Sequence, residues 1–267
     1  LRGPFSDDSQ AGFLGGVQGL EESVKFGVAG AIWHPDVDFA DVNYSDTCWA
    51  SEPSQMISYI SCHDDMCLRD RLHASLPGIS EDELLRLDKL GQTVVFTSQG
   101  IPFIYAGEEL FRTKQGVHNS YNSPDAINAI DWSFKARYAD LYNYYRGLIA
   151  LRKAHPAFRL GDADLVREHL EFLDAPEGVV AWRLTGHAGG DPCEELVVII
   201  NSRKEPVSID IPDWKAASDS NGPMSENGPE HRYTVYCRDG RISADGLGTI
   251  TGPVLSVGPQ QALIVGR

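Results

Sequence analysis

A histidine and two carboxylates close a short apolar run at residues 59–65, in the order Tyr59, Ile60, Ser61, Cys62, His63, Asp64, Asp65. An imidazole beside carboxylates at the open end of a strand can hydrogen-bond sugar hydroxyls and stabilise positive charge on a reacting ring. In parallel α/β folds such groups gather at the C-terminal ends of strands, where side chains converge on one open face. From position alone, a polar loop capping a helix accounts for these residues equally well.

Other reactive side chains have plainer readings. His34, between Trp33 and Pro35, either stacks on a sugar or packs in a loop. Tyr142, Tyr144 and Tyr145 at helical spacing read as core and surface aromatics rather than as a sugar platform. Trp182 and Trp214 offer glucan-stacking rings, yet a lone tryptophan on a strand is usually core. The cysteines (Cys48, Cys62, Cys67, Cys193, Cys237) are odd in number and scattered, with no disulfide framework and no zinc-type spacing. Gly186 to Gly190 lacks the lysine and hydroxyl residue of a phosphate loop. No metal and no cofactor is expected, and the compartment stays open.

Charge narrows the partners. The chain has 267 residues and a net charge of −15, with pI near 4.8. Nucleic acid and anionic membrane surfaces would repel it, whereas a neutral ligand such as a sugar would not. An uncharged stretch of helix-spanning length, residues 90–107, carries Gln92, Thr93, Thr97, Ser98, Gln99 and Pro102. It reads as the end of one soluble element and a buried strand rather than a membrane span. No signal peptide is visible, and because the chain begins at Leu1, its natural start is expected upstream.

The elements that must hold His63 and Asp64 follow from periodicity. Residues 55–61 form an apolar, β-branched run that reads as a buried strand, and Leu68 and Leu72 mark a helical patch after it. Ser80 with Glu83 is a capping-box signature, and Leu84, Leu87, Leu90, Val94 and Val95 continue a helix to about Ser98. Residues 101–105 read as a second buried strand, 110–132 as loop, and 136–154 as a last helix. A shorter helix is expected over 18–26 in a glycine-dotted opening. Strand, helix, strand, helix with continuous apolar strands is the pattern of a parallel α/β sheet or barrel. Beyond about residue 160 the texture changes to short strands, expected at 165–173, 179–184, 195–201, 207–211, 232–236, 254–257 and 262–265. That pattern predicts an antiparallel β-sandwich, with the polar stretch 216–230 as a mobile loop. No internal repeat is present.

The text around His63 is more specific than its position. Residues 59–64 (YISCHD) followed by 68–72 (LRDRL) resemble the last conserved region of the α-amylase superfamily, glycoside hydrolase family 13. Residues 100–116 (GIPFIYAGEELFRTKQG), 118–125 (HNSYNSPD) and 128–132 (NAIDW) are similar, in order, to type I pullulanases, the branch that cuts α-1,6 links. A His-Asp pair alone is weak; a string of this length is strong. The resemblance implies that 1–156 is the C-terminal part of a (β/α)8 barrel, with strands seven and eight, and that 157–267 is a β-sandwich domain. It implies a retaining glycosidase acting on pullulan and branched α-glucan. His63 would bond sugar hydroxyls, and Asp64 would stabilise the transition state. Asn119, Tyr121, Asn122 and Asp125 would border the substrate, and His118 would shape the same loop. Asp65 stands where the family commonly has Asn, and a second carboxylate beside Asp64 is expected to raise a pKa by like-charge repulsion.

A gap comes with the resemblance. In this family the nucleophile and the general acid sit on strands four and five, and neither segment precedes His63. The opening LRGPF resembles the stretch just after strand six, which places both residues upstream of Leu1. Arg86-Leu87-Asp88 copies the Arg-x-Asp spacing but lies on an amphipathic helix, where a solvent-facing Asp with a charge partner is expected. Glu108 and Glu109 are expected as helix-cap or ion-pair partners, and His155 as a charge closing the last barrel helix. About 160 residues are too few for a whole barrel of roughly 200–250. The expectation is a chain with no independent hydrolytic activity, whose partner is the missing N-terminal barrel half. The alternative is a non-catalytic glucan-binding or complementing module.

Overall fold

Glycines scattered through the opening residues leave few consecutive helix formers, and the first α-helix is short: α1, Glu21–Val28. The structure, a computed structural model, describes residues 1–212 and 232–267. The expected loop at 216–230 and Trp214 lie outside the described residues. The run that leads to His63 enters as strand β1, Ile57–Ser58, followed by α2, Leu68–Ser75. Helix α3, Glu81–Thr97, starts where the capping signature placed it: the Ser80 hydroxyl accepts the Glu83 N–H at 3.2 Å. The reverse half of the box is replaced, since the Glu83 carboxylate accepts from Gln260 at 2.9 Å and pairs with Lys204 at 3.1 Å. Gly91 sits midway along α3 because a Cβ there would stand 2.4 Å from Cδ1 of Ile60. Its absence lets the chain approaching His63 lie directly on the helix.

Strand β2, Ile101–Pro102, pairs parallel with β1, Ile57 opposite Ile101 and Ser58 opposite Pro102. Main-chain bonds from Ile101 N–H to Met56 at 2.8 Å and Phe103 N–H to Ser58 at 2.9 Å extend the pairing. The expected strands 55–61 and 101–105 are therefore shorter than read. Pro102 has no N–H to donate, and this pair is the extent of parallel sheet among the described residues. The region read as loop holds a one-turn helix, α4 (Asp125–Asn128), followed by α5 (Phe134–Arg137) and α6 (Ala139–Ala154). From α6, the buried Arg152 guanidinium donates to the carbonyls of Phe96, Ser98 and Gly100 at 2.7–2.8 Å. It thereby fixes the end of α3 against the start of β2. No helix among the described residues is long and apolar enough to cross a membrane.

The expected strand at 165–173 divides. Asp162 accepts the Leu165 N–H at 3.0 Å, and this cap starts α7, Ala163–His169, leaving Leu170–Leu173 as β3. Strands β4 (Val179–Thr185), β5 (Glu195–Asn201) and β6 (Val207–Asp210) follow. After them come β7 (Arg232–Arg238), β8 (Arg241–Ile242), β9 (Thr249–Thr251), β10 (Val254–Val257) and β11 (Gln261–Gly266). One seven-stranded sheet runs β3-β4-β5-β11-β7-β8, with β9 also paired to β7, and its ladders are antiparallel. A second antiparallel sheet pairs β10 with β6.

Every residue of β5 is buried, which explains its unbroken apolar run: neither face meets water. Val197 and Ile199 pack with Ile209, Leu255 and Val257 of the smaller sheet. Val198 and Ile200 point the other way, into a cluster with Trp182 and Ile264 that continues to Leu87, Val94, Tyr145 and Phe13. The large sheet is thus a middle layer, with helices on one face and the β6/β10 pair on the other. Trp182 belongs to the core, as do Tyr144 and Tyr145.

Candidate functional site

The chain leaves β1 and turns through Ser61–Cys67 into α2, and this turn carries His63 and Asp64. Both side chains stand in solvent, 81% and 68% exposed, with Nε2 of His63 3.4 Å from Oδ1 of Asp64. The main chain beneath them is held from behind. Lys114 is fully buried, and its Nζ donates to the His63 carbonyl at 3.1 Å while lying 5.6 Å from the Tyr105 ring centre. Asp70, on α2, accepts from the Lys114 N–H at 2.6 Å and the Thr113 hydroxyl at 2.5 Å. The Cys67 thiol also reaches Asp70 at 3.1 Å, and burial together with the Asp70 charge pushes that thiol up to about 12, so it is inert. Next along α2, the fully buried Arg71 binds the carbonyls of Pro4, Asp7, Asp8 and Gln10. Adjacent residues of one helix thus clamp two loops around the His63–Asp64 turn.

Asp65 differs from its neighbour. It has φ of +66°, a left-handed conformation that Asp tolerates better than most residues, and it is 2% exposed. Its carboxylate pairs with Arg2 at 2.5 Å and with His118 Nε2 at 2.8 Å. The second carboxylate expected beside Asp64 is thus met by the Arg2 charge. His118 also approaches Asp8 at 3.8 Å and sits edge-on to Phe5, so it joins three loops. This extends the loop-shaping role expected of it.

Asn119, Tyr121, Asn122 and Asp125 are all exposed on the loop beyond Lys114. Their loop is fastened by neighbours: Asn128 donates to the Ser120 and Ser123 carbonyls at 2.7 and 2.9 Å, and Arg112 to the Asn128 carbonyl at 2.5 Å. The fold thus presents the four side chains and binds the backbone of the residues between and after them.

Two carboxylates differ from expectation. Asp88 is buried rather than solvent-facing. It lies one turn beyond Leu84, on the helix face that meets α6, and accepts from the Tyr145 hydroxyl at 2.7 Å. Burial pushes it up to about 7 against that hydrogen bond. Glu108 is a hydrogen-bond hub rather than an ion-pair partner. It accepts from the Ser61 hydroxyl, from Gln92 at 3.3 Å and from the Tyr105 N–H at 3.2 Å. Burial pushes it up to about 8, with the Asp88 charge adding to the rise. It ties the residue two before His63 to the turn after β2. Glu109 caps its own turn by accepting the Gly107 N–H at 2.9 Å. His34 is packed, with Nε2 3.1 Å from the Leu170 carbonyl and its ring against Phe172.

Sequence reasoning did not single out Lys114, Arg71 or Arg112. The signal available was a cationic pair, Arg112 and Lys114, directly after the apolar Leu110 and Phe111. Beside β1 lies a cavity of about 530 Å³ lined by Leu20, Val24, Phe26, Trp49, Ile57 and Tyr59 among others. Ile57, Tyr59, Ile101 and Phe103 are exposed, on one face of the parallel pair by their two-residue spacing.

Comparison with known proteins bears on this arrangement. Residues 166–221 match the family described as pullulanase, all-beta domain. Pullulanase of Bacillus subtilis (strain 168) is 36% identical over 202 residues, 74% of this chain and 27% of that protein. Among solved structures, pullulanase from Bacillus acidopullulyticus is similar with a TM-score of 0.83 at 33% identity, over 100% of this chain and 29% of that one. A mutant pullulanase from Paenibacillus barengoltzii complexed with maltotriose gives 0.81 at 38% identity, over 99% of this chain and 37% of that one. The chain spans about a quarter to somewhat over a third of the length of these relatives.

Proposed function

Because this chain matches pullulanases of glycoside hydrolase family 13 over a C-terminal portion of their length, we propose that it supplies part of a site for retaining hydrolysis of α-1,6-glucosidic bonds in pullulan, starch and glycogen. In this reading 1–156 is the C-terminal part of a (β/α)8 barrel, β1 and β2 are its seventh and eighth strands, and 157–267 is the β-sandwich domain. His63 hydrogen-bonds the hydroxyls of the sugar being cleaved, and Asp64 stabilises positive charge on its ring. Asn119, Tyr121, Asn122 and Asp125 border the same sugar chain. The observation that carries the reading is the exposed His63–Asp64 pair at the end of β1, with its backbone locked by Lys114.

Retaining hydrolysis also needs a nucleophile and an acid about 5–5.5 Å apart. The nearby carboxylates are committed elsewhere: Asp65 to Arg2 and His118, Glu108 to Ser61, Gln92 and Tyr105. This supports a chain that binds glucan without turning it over by itself, the acid and nucleophile coming from a further barrel segment. The exposed face of Ile57, Tyr59, Ile101 and Phe103 favours a second reading, a complementing module that docks on such a segment. The solved relatives complexed with maltotriose, and with maltohexaose and α-cyclodextrin, support an α-glucan as ligand. The test is purified chain assayed for pullulan retention in a native gel and for reducing sugar. Retention without turnover is expected. Ordinary turnover would overturn the inactivity, and no retention would overturn glucan binding.

A further inference from the structure

The residue that follows α6, His155, meets the turn between β4 and β5. His155 Nδ1 lies 3.0 Å from Oδ1 of Asp191, and the Cys193 thiol is close enough that the three ligand atoms all fall within 4.8 Å of one another. All three residues are buried. The Tyr236 hydroxyl from β7 stands 3.3 Å from the Cys193 sulfur, and its ring packs on the His155 imidazole with centres 4.7 Å apart. Asp191 is oriented by two main-chain donors, the Cys193 N–H at 2.9 Å and the Ala157 N–H at 3.2 Å. The last side is backbone: a Cβ on Gly266 would stand 2.8 Å from the Cys193 sulfur and 2.9 Å from the Tyr236 ring.

We propose that His155, Asp191 and Cys193 bind a zinc ion that staples the end of α6 to the large sheet. One imidazole nitrogen, one carboxylate oxygen and one sulfur form a donor set suited to zinc, whereas calcium and magnesium take oxygens. Tyr236 closes the fourth side with its phenol oxygen. The main-chain bonds to Asp191 are the outer-shell support that fixes a ligand's orientation. Binding replaces protons: the Cys193 thiol proton, and any proton on His155 Nδ1, pass to solvent as the Zn–S and Zn–N bonds form. Among the described residues, the other grouping of the kind, Asp8, Asp65 and His118, is a poorer candidate. Arg2 lies 2.5 Å from Asp65 and Arg71 lies 3.7 Å from Asp8, so fixed cations already occupy the carboxylates. No segment of sequence announces the buried site, because His155 is 36 residues from Asp191 along the chain.

The test uses the purified full chain, stripped with chelator, then dialysed against zinc chloride and desalted. One zinc per chain by elemental analysis is expected, with a higher midpoint of thermal unfolding than the stripped form. Cobalt(II) in place of zinc should give a near-ultraviolet sulfur-to-metal charge-transfer band. Cys193→Ser should abolish that band, and Asp191→Asn should weaken zinc binding by roughly a hundredfold or more, beyond an outer-shell change. Circular dichroism checks that both variants fold. Wild-type chain that retains less than a tenth of an equivalent of zinc would overturn the site without any variant. So would a cobalt band of equal intensity in folded Cys193→Ser, which would place the metal on Cys48 or Cys62, the half-exposed thiols.

Discussion

The ammonium of Lys114 donates to the main-chain carbonyl of His63 across 3.1 Å, joining the loop after β2 to the turn that carries the exposed His-Asp pair. Lys114 is buried, so its ammonium depends on such protein partners in place of water. Lys114→Met keeps the apolar stem and removes the donor. It should cost about 1–3 kcal/mol of stability, the penalty for an orphaned buried polar group. It should also weaken pullulan retention while leaving His63 and Asp64 in place. Urea denaturation and native gels in pullulan read the two effects.

Asp70 organises the same junction from α2, accepting from Thr113, Lys114 and Cys67. Asp70→Asn replaces one acceptor oxygen with a donor that faces other donors. A loss of about 1–3 kcal/mol is expected in chemical denaturation. Asp64→Asn, on an exposed side chain, should change stability by less than about 0.5 kcal/mol. The contrast separates the clamp from the residue it presents.

How stability depends on pH follows from Glu108 and Asp88. Burial raises the folded-state values to about 8 and about 7. Above the ordinary carboxylate value of about 4, the folded protein therefore holds protons that the unfolded chain has released. The sign is a fall in stability as pH rises from about 5 toward 8, the opposite of a salt-bridged carboxylate. Glu108→Gln should flatten that decline, measured as denaturation midpoints across the range. A midpoint that rises with pH in wild type and not in the variant would contradict the assignment.

Trp182 lies at the centre of the layer shared by the sheet and the helices, with no exposed surface. Trp182→Ala should cost about 3–5 kcal/mol. Because the same apolar cluster reaches Leu87 and Val94 of α3, amide exchange should accelerate in α3 as well as in β4 and β5.

Much of this framework was legible from residue order, and the failures have physical causes. The Ser80 cap and the three- and four-residue spacing from Leu84 to Val95 located α3, and the unbroken apolar run at 195–201 located β5. Short strands β8 and β9 went unread because two or three residues carry no periodicity. The residues 165–169 looked strand-like, but the Asp162 cap turned them into helix. Asp88 was misread because its charge outweighed its position one turn beyond Leu84. At the proposed site, His63, Asp64 and the loop from Asn119 to Asp125 are singled out by resemblance, and the structure shows these side chains exposed. Lys114, Arg71 and Glu108 act through tertiary contacts spanning 47 to 67 residues, which local spacing does not encode.

The central claim is that the exposed His63–Asp64 turn contacts α-glucan. Native affinity electrophoresis of the purified chain in gels containing pullulan, run beside Asp64→Ala and His63→Ala, tests it most directly. The account predicts retarded migration of the wild-type chain and at least partial loss of retardation in both folded variants. Wild-type mobility unaffected by pullulan, or equal retardation of all three chains, would contradict it.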